Sequence, residues 1–190
     1  MTLSQSHPYL SPEEYLETEK SSPIKHEYIQ GQIYAMSGAS DAHVTITANL
    51  VTLLRNHIRG TGCRVYVADM KTRIETLNIF YYPDIMVTCD QRDTKFEYFK
   101  CYPSLIIEVL SPSTEAFDRG DKFNDYQELK TLQEYVLISQ TRQRVDCFRR
   151  NSEGRWVLYS YRENQDLELT SVNFSCSVVQ VYEDVLFSEI

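Results

Sequence analysis

Glycine is scarce, with only six in 190 residues, and none falls in a spaced glycine run. A phosphate loop or a dinucleotide-binding turn, which needs such a run to bring backbone amides to phosphate, is therefore excluded. No GxSxG elbow is present, which removes a serine hydrolase of that type. The five cysteines (Cys63, Cys89, Cys101, Cys147 and Cys176) are odd in number, scattered and never paired as CxxC. That usage argues against a disulfide framework or a cysteine-built zinc site and favours a reducing cytoplasm. No apolar run approaches the ~20 residues of a membrane helix, so no membrane association is expected. The opening "MTLSQSHPYLSPEEYLE" has neither the basic start nor the apolar centre of a secretory signal. Positive charge is also short. With 19 Lys+Arg against 27 Asp+Glu, the net charge of −8 lacks the broad basic footprint of an unselective polyanion binder.

What is present is an ordinary apolar content of 42%, an excess of tyrosine (14), and an alternation of strand-like and helix-like segments. "SPEEYLE" opens like a helix, with Ser11 as cap, Pro12 in the first position and Glu13 and Glu14 facing the positive end of the dipole. "HEYIQGQIYAMS" reads as two strands about Gln30-Gly31. "SDAHVTITANLVTLLRNHIRG" reads as a helix capped by Ser40 or Asp41 and stopped at Gly60, its stripe of Leu50, Val51, Leu54 and Ile58 at helical spacing. Strand-like "CRVYVADMKTRI", "YYPDIMVTC" and "SLIIEVLS" follow, then a helix over "DRGDKFNDYQELK" capped by Asp118, the strand "EYVLIS", and a hairpin about "NSEGR". The tail "VVQVYEDVLF" fits either helix or strand. The order predicts an α/β (α+β) fold, a central mixed sheet flanked by helices with a strand-rich C-terminal part. One domain over 1–190 is expected, with a core of about 12–145 and a hairpin and tail over 145–190.

"SLIIEVL" contains an oddity. Side chains alternate along a strand, so Ile106, Glu108 and Leu110 share one face and Leu105, Ile107 and Val109 the other. A strand apolar on both faces is covered on both sides. A carboxylate there costs several kcal/mol unless it is paired, protonated or bound to metal. It is either a satisfied structural acid or part of a site. In "YYPDIMVTC" a second acid, Asp84, follows Pro83 at the start of a strand. If the two strands are neighbours, Asp84 and Glu108 converge at one sheet end. Their repulsion is resolved by a hard divalent cation with oxygen ligands at ~2.0–2.1 Å.

The order strand, Pro-Asp, strand, Glu, helix resembles the PD-(D/E)XK nuclease superfamily, the fold of many restriction endonucleases. More narrowly, "YPDIMVTC", "PSLIIEVLSPST", "DRGDKFNDY" and the upstream "HEYIQGQIYAMSGAS…H" resemble the Uma-two family of restriction endonucleases, over about Tyr15 to Val145. The resemblance implies a metal-dependent endonuclease that hydrolyses DNA phosphodiester bonds. It implies Mg²⁺ or Mn²⁺ held by Asp84, Glu108 and the Val109 backbone carbonyl. The superfamily places a lysine two residues after the glutamate, where this chain has Leu110. Lys122, in a "D…K…Y" pattern matched by Asp118, Lys122 and Tyr126, is the first candidate to supply the amine. Its plainer reading is an exposed helix lysine paired with Asp118. Lys71 is the second candidate. Glu27, matching an upstream acidic position, and His43, on the inward face of its helix, are accessory candidates, with Asp69 beside them. "RNHIRGTGCR" and "TRQRVDCFRR" are the local basic enrichments that could rim a DNA site. A homodimer would supply two sites for two strands. The competing expectations are a catalytically degenerate fold that only binds nucleic acid or protein, signalled by Leu110, and a hydrolase of a smaller phosphoester, which would suit the acidity.

Overall fold

The computed structural model of the chain describes residues 9–187. Helix α1 (Pro12–Glu19) starts at Ser11, whose hydroxyl accepts from the Glu14 N–H while the Glu14 carboxylate accepts the Ser11 N–H at 2.8 Å. Strands β1 (His26–Ile29) and β2 (Gln32–Ala35) form a hairpin. Its two central residues, Gln30 and Gly31, have φ of 49° and 94°. Two positive φ values in succession give the turn that matches the right-handed twist of a hairpin, and glycine takes the second without cost. Helix α2 (Asp41–His57) is capped by Ser40 and buries Ile46, Leu50 and Leu54.

The next two strand-like stretches are each cut in two. β3 (Arg64–Val67) and β4 (Lys71–Ile74) lie in different sheets, as do β5 (Ile79–Tyr81) and β6 (Ile85–Thr88). The second cut falls at Pro83. Proline has no N–H to give a ladder, so the pairing of β5 ends there and the chain passes from one sheet to the other. The short β7 (Phe99–Lys100) precedes β8 (Leu105–Leu110). The segment after β8, read from sequence as one helix, is two: α3 (Glu115–Arg119) and α4 (Asp121–Tyr126). Gly120 makes the break, and Asp118 sits inside α3 instead of capping a helix. β9 (Glu134–Ser139), β10 (Arg144–Arg150) and β11 (Trp156–Arg162) follow. The chain continues through β12 (Asp166–Leu169), β13 (Phe174–Ser177) and α5 (Val178–Val181). The β12–β13 pair was not legible in the sequence, and the ambiguous tail is helical where it begins.

The strands therefore form more than one central sheet. A mixed six-stranded sheet has the order β11-β10-β9-β8-β6-β3, with β8 and β9 parallel and its other neighbours antiparallel. A five-stranded sheet has the order β2-β1-β5-β4-β7. β8 is buried along its whole length. Leu105, Ile107 and Val109 enter a core shared with α2 and with Leu167, Leu169 and Val181 from the C-terminal part. Ile106 and Leu110 enter a second core with Tyr126, Tyr135 and Leu137. Glu108 points to this second side.

Cys63 and Cys89 form a disulfide, which corrects the expectation of unpaired cysteines. They stand just outside the β3–β6 pair, where Arg64 faces Thr88, so the register places them opposite one another. Sequence spacing carries no trace of that register. Cys101, Cys147 and Cys176 are free. No described helix is long and apolar enough to cross a membrane.

Glu134, at the head of β9, is fully buried. Its carboxylate accepts from Arg149 Nε at 2.7 Å and from the Thr170 and Ser171 N–H groups at 3.1 and 2.8 Å, tying the sheet to the segment after β12. A hydrogen bond to a charged group contributes about 1.5–3 kcal/mol. Glu134→Gln keeps the shape but loses the charge, and chemical denaturation should show a stability loss of about 2 kcal/mol.

Candidate active site

The β6–β8 register pairs Ile85 with Ile107, so the next step outward sets Asp84 against Glu108. The Asp84 N–H points at Glu108 Oε2 at 3.3 Å. Each oxygen of the Asp84 carboxylate has its own partner. Oδ2 accepts the Val109 N–H at 2.7 Å, and Oδ1 lies 3.0 Å from His43 Nε2. The position of Asp84 thus follows from the break at Pro83. It sits where the strand begins, its side chain reaching across to the end of β8. His43 lies in the first turn of α2 and is brought to it by the packing of that helix on the sheet.

Glu108 is 3% exposed. Its Oε1 receives the Lys122 ammonium at 3.0 Å and the Tyr126 hydroxyl at 3.1 Å, both from α4. Lys122 is equally withdrawn from water, at 6% exposure, so it is not the surface lysine of the plainer reading. It also meets Glu27 at 3.2 Å and Asp118 at 3.6 Å, and lies 5.3 Å from the centroid of the Tyr81 ring. Lys122 and Tyr126, four apart, share one side of α4, and Asp118 of α3 meets Lys122 at 3.6 Å.

Leu110, where the superfamily has its lysine, packs into the second core. The amine beside Glu108 comes from a helix instead of from the same strand. Lys71 is placed elsewhere: its amine lies over the Tyr82 ring, 4.9 Å from the centroid. Asp69 pairs with Lys25 and does not join the cluster. Glu27, which could equally have been an edge-strand surface acid, holds the Tyr82 N–H at 3.3 Å as well as Lys122. Sequence reasoning missed Tyr81, which donates to Asp125 at 2.6 Å and walls the lysine. Its signal was its position directly before "YPD", facing opposite to Tyr82.

The electrostatics are those of acids in excess. Burial, and then the charges of Asp84 and Asp118, raise the Glu108 carboxyl well above its ordinary range, although the Lys122 charge pulls the other way. Burial also raises Asp118. For Lys122, burial favours the neutral amine, but Glu108, Glu27 and Asp118 outweigh it and hold the ammonium firmly charged. Four carboxylates (Glu27, Asp84, Glu108 and Asp118) thus stand in a connected network with one lysine.

Among the described residues no group of three or more His, Cys, Asp and Glu is arranged to hold a metal ion by itself. The donor chemistry nonetheless suits a hard divalent cation. Mg²⁺ is commonly bound through one or two carboxylates, with water and substrate phosphate completing its shell. Asp84 and Glu108 offer that pair, and the uncompensated negative charge around them is what a cation would neutralise.

Comparison with known proteins places these residues in a wider setting. The family model Uma2, described as "Putative restriction endonuclease", matches residues 12–178. A protein of Synechocystis sp. described as uncharacterized is 44% identical over 180 residues, covering 95% of this chain and 95% of that protein. A second from the same organism, likewise uncharacterized, is 36% identical over 166 residues, covering 85% and 93%. Among solved structures, a crystal structure described as a "putative nuclease belonging to DUF820" from Anabaena variabilis superposes with a TM-score of 0.74. It covers 93% of this chain and 99% of that one at 18% identity, a likeness that speaks for the fold alone.

Proposed function

This chain belongs to the Uma2 family, and from that membership we propose that it is a divalent-metal-dependent endonuclease hydrolysing DNA phosphodiester bonds at the Asp84–Glu108–Lys122 cluster. The observation that carries the reading is Lys122 Nζ, buried and 3.0 Å from Glu108 Oε1 at the sheet end where Asp84 also lies. The structural glutamate Glu134 sits among donors, whereas Glu108 sits among acids that oppose its ionisation.

Mg²⁺ or Mn²⁺, when bound by Asp84, Glu108 and the Val109 carbonyl, would polarise the phosphate and acidify a water. The chain's own groups do the rest. His43 and the Val109 N–H fix the Asp84 carboxylate. Tyr126 holds Glu108 by one oxygen and leaves Oε2 to face Asp84. Lys122 orients the attacking water and offsets negative charge developing on the phosphate, where a fixed ammonium in a dry site is most effective. A homodimer, with one site for each strand, belongs to the same proposal; the Cys63–Cys89 disulfide removes the cysteine argument for a reducing cytoplasm.

Leu110 favours a second reading, a degenerate fold that binds without cutting. A hydrolase of smaller phosphoesters is a third, favoured by the acidity. Plasmid incubated with purified protein distinguishes them. Nicking and linearisation are expected with Mg²⁺ or Mn²⁺ and none with EDTA. Retardation of DNA without cutting supports the binding reading. Hydrolysis of a small phosphodiester with intact plasmid supports the third.

A further inference from the structure

Lys71 is a lysine without an ion pair. The residue is 6% exposed, yet among the described residues its amine makes neither an ion pair nor a hydrogen bond, and it lies over the face of Tyr82. It lines a cavity of about 360 Å³ together with Lys20, Lys25, Asp69, Tyr82 and Tyr98. The other charges of that cavity are engaged. Lys25 pairs with Asp69, and Lys20 with Glu17 at 2.6 Å. Glu19, also in the wall, accepts from the His26 N–H at 2.8 Å and from the Tyr82 hydroxyl at 3.0 Å. Burial holds the Lys71 amine below the usual lysine range, against the pull of Glu19 and Asp69. An ammonium partly withdrawn from water and without a contacting anion gains from an incoming one.

Tyr82 links the cavity to the proposed active site. Tyr82 shows its ring to Lys71, while its N–H goes to Glu27, the partner of Lys122. Two residues further on is Asp84. In a chain of net charge −8, this cavity holds three ammonium groups against two carboxylates. We propose that it receives a backbone phosphate of the substrate strand next to the one being cut, with Lys71 as the phosphate-contacting group and Tyr98 at its rim. This rests on the reading of the chain as a DNA-cutting enzyme, and it makes Lys71 a binding residue in place of a second catalytic lysine.

Binding without cutting tests it. Anisotropy of a short fluorescein-labelled DNA duplex is titrated in EDTA at NaCl concentrations from about 50 to 200 mM. Each phosphate contact contributes about 0.9 to the slope of log K against log salt, so Lys71→Met should lower that slope by about 0.9 and weaken binding several-fold at low salt. Lys71→Arg, which keeps the charge, should retain the wild-type slope. Removing an unpaired buried cation should leave the melting temperature of Lys71→Met at or above wild type, which is measured in parallel. An unchanged slope and affinity in folded Lys71→Met overturns the proposal, even if the protein cuts plasmid. If the slope falls as expected but no metal-dependent cutting is found, the nuclease reading fails and the phosphate site stands. Wild type that shows no salt-dependent binding at all overturns the phosphate site, and plasmid cutting with metal then decides the nuclease reading by itself.

Discussion

Glu108→Gln is expected to abolish plasmid cutting while leaving the protein as stable as wild type or more so. The amide keeps the shape of the side chain and can still accept from Lys122 and Tyr126, which now meet Oε1 at 3.0 and 3.1 Å, giving up only the long 3.3 Å contact from the Asp84 N–H to Oε2. What it loses is the charge that burial and the neighbouring Asp84 and Asp118 already oppose. Relieving that opposition stabilises the fold, whereas the proposed cation loses one of two side-chain ligands. A fall of at least about 10³-fold in rate is expected, on the order of 4 kcal/mol of transition-state stabilisation. Single-turnover cutting and thermal unfolding, measured on the same preparation, check both halves. Cutting at the wild-type rate would sink the catalytic reading. Lost cutting with a collapsed melting temperature would instead mark Glu108 as a structural acid.

Lys122→Met should damage activity and fold together. Glu27, Glu108 and Asp118 meet on this one ammonium, and among the described residues none of the three would have another cation in contact. Breaking a buried ion pair from one side costs about 3–5 kcal/mol because the remaining charge is left uncompensated. For a chain of this size each kcal/mol lowers the melting temperature by about 2–4 °C, so a drop of about 6–20 °C is expected near neutral pH. The pH dependence has a definite sign. Burial already raises Glu108 and Asp118, and loss of the lysine raises them further. A carboxyl with a raised folded-state pKa favours the native state at low pH and loses that contribution as pH rises through it. The deficit of Lys122→Met should therefore be smallest in acid and widen toward neutrality. Differential scanning calorimetry across that range measures it. A variant that folds like wild type and still cuts would remove Lys122 from the mechanism.

The two substitutions differ because the cluster is unbalanced. Removing an acid lowers the excess of negative charge, whereas removing the base exposes it. Structural carboxylates elsewhere are treated differently: Glu134 has a guanidinium and two backbone N–H groups on its oxygens.

Local chemistry was enough to read much of the molecule from the sequence. The Ser11 capping box, the Gln30-Gly31 hairpin turn and the stripe of α2 depend on neighbours within four residues. The alternation of "SLIIEVL" determined that Glu108 would share a face with Ile106 and Leu110, because a strand has no other period. Pro83 marked a strand boundary, since proline cannot donate to a ladder. What the sequence could not contain is register and rotation. The pairing of Ile85 with Ile107 sets Asp84 against Glu108, and the pairing of Arg64 with Thr88 joins Cys63 to Cys89. The passage of the chain between two sheets at Pro83 divides what looked like single strands. The packing of α4 on β8 turns Lys122 into the acids and away from water. Each is a long-range contact chosen by packing of whole faces, and the fate of the lysine missing at Leu110 was decided at that level: a helix, not the strand, brings the amine to Glu108.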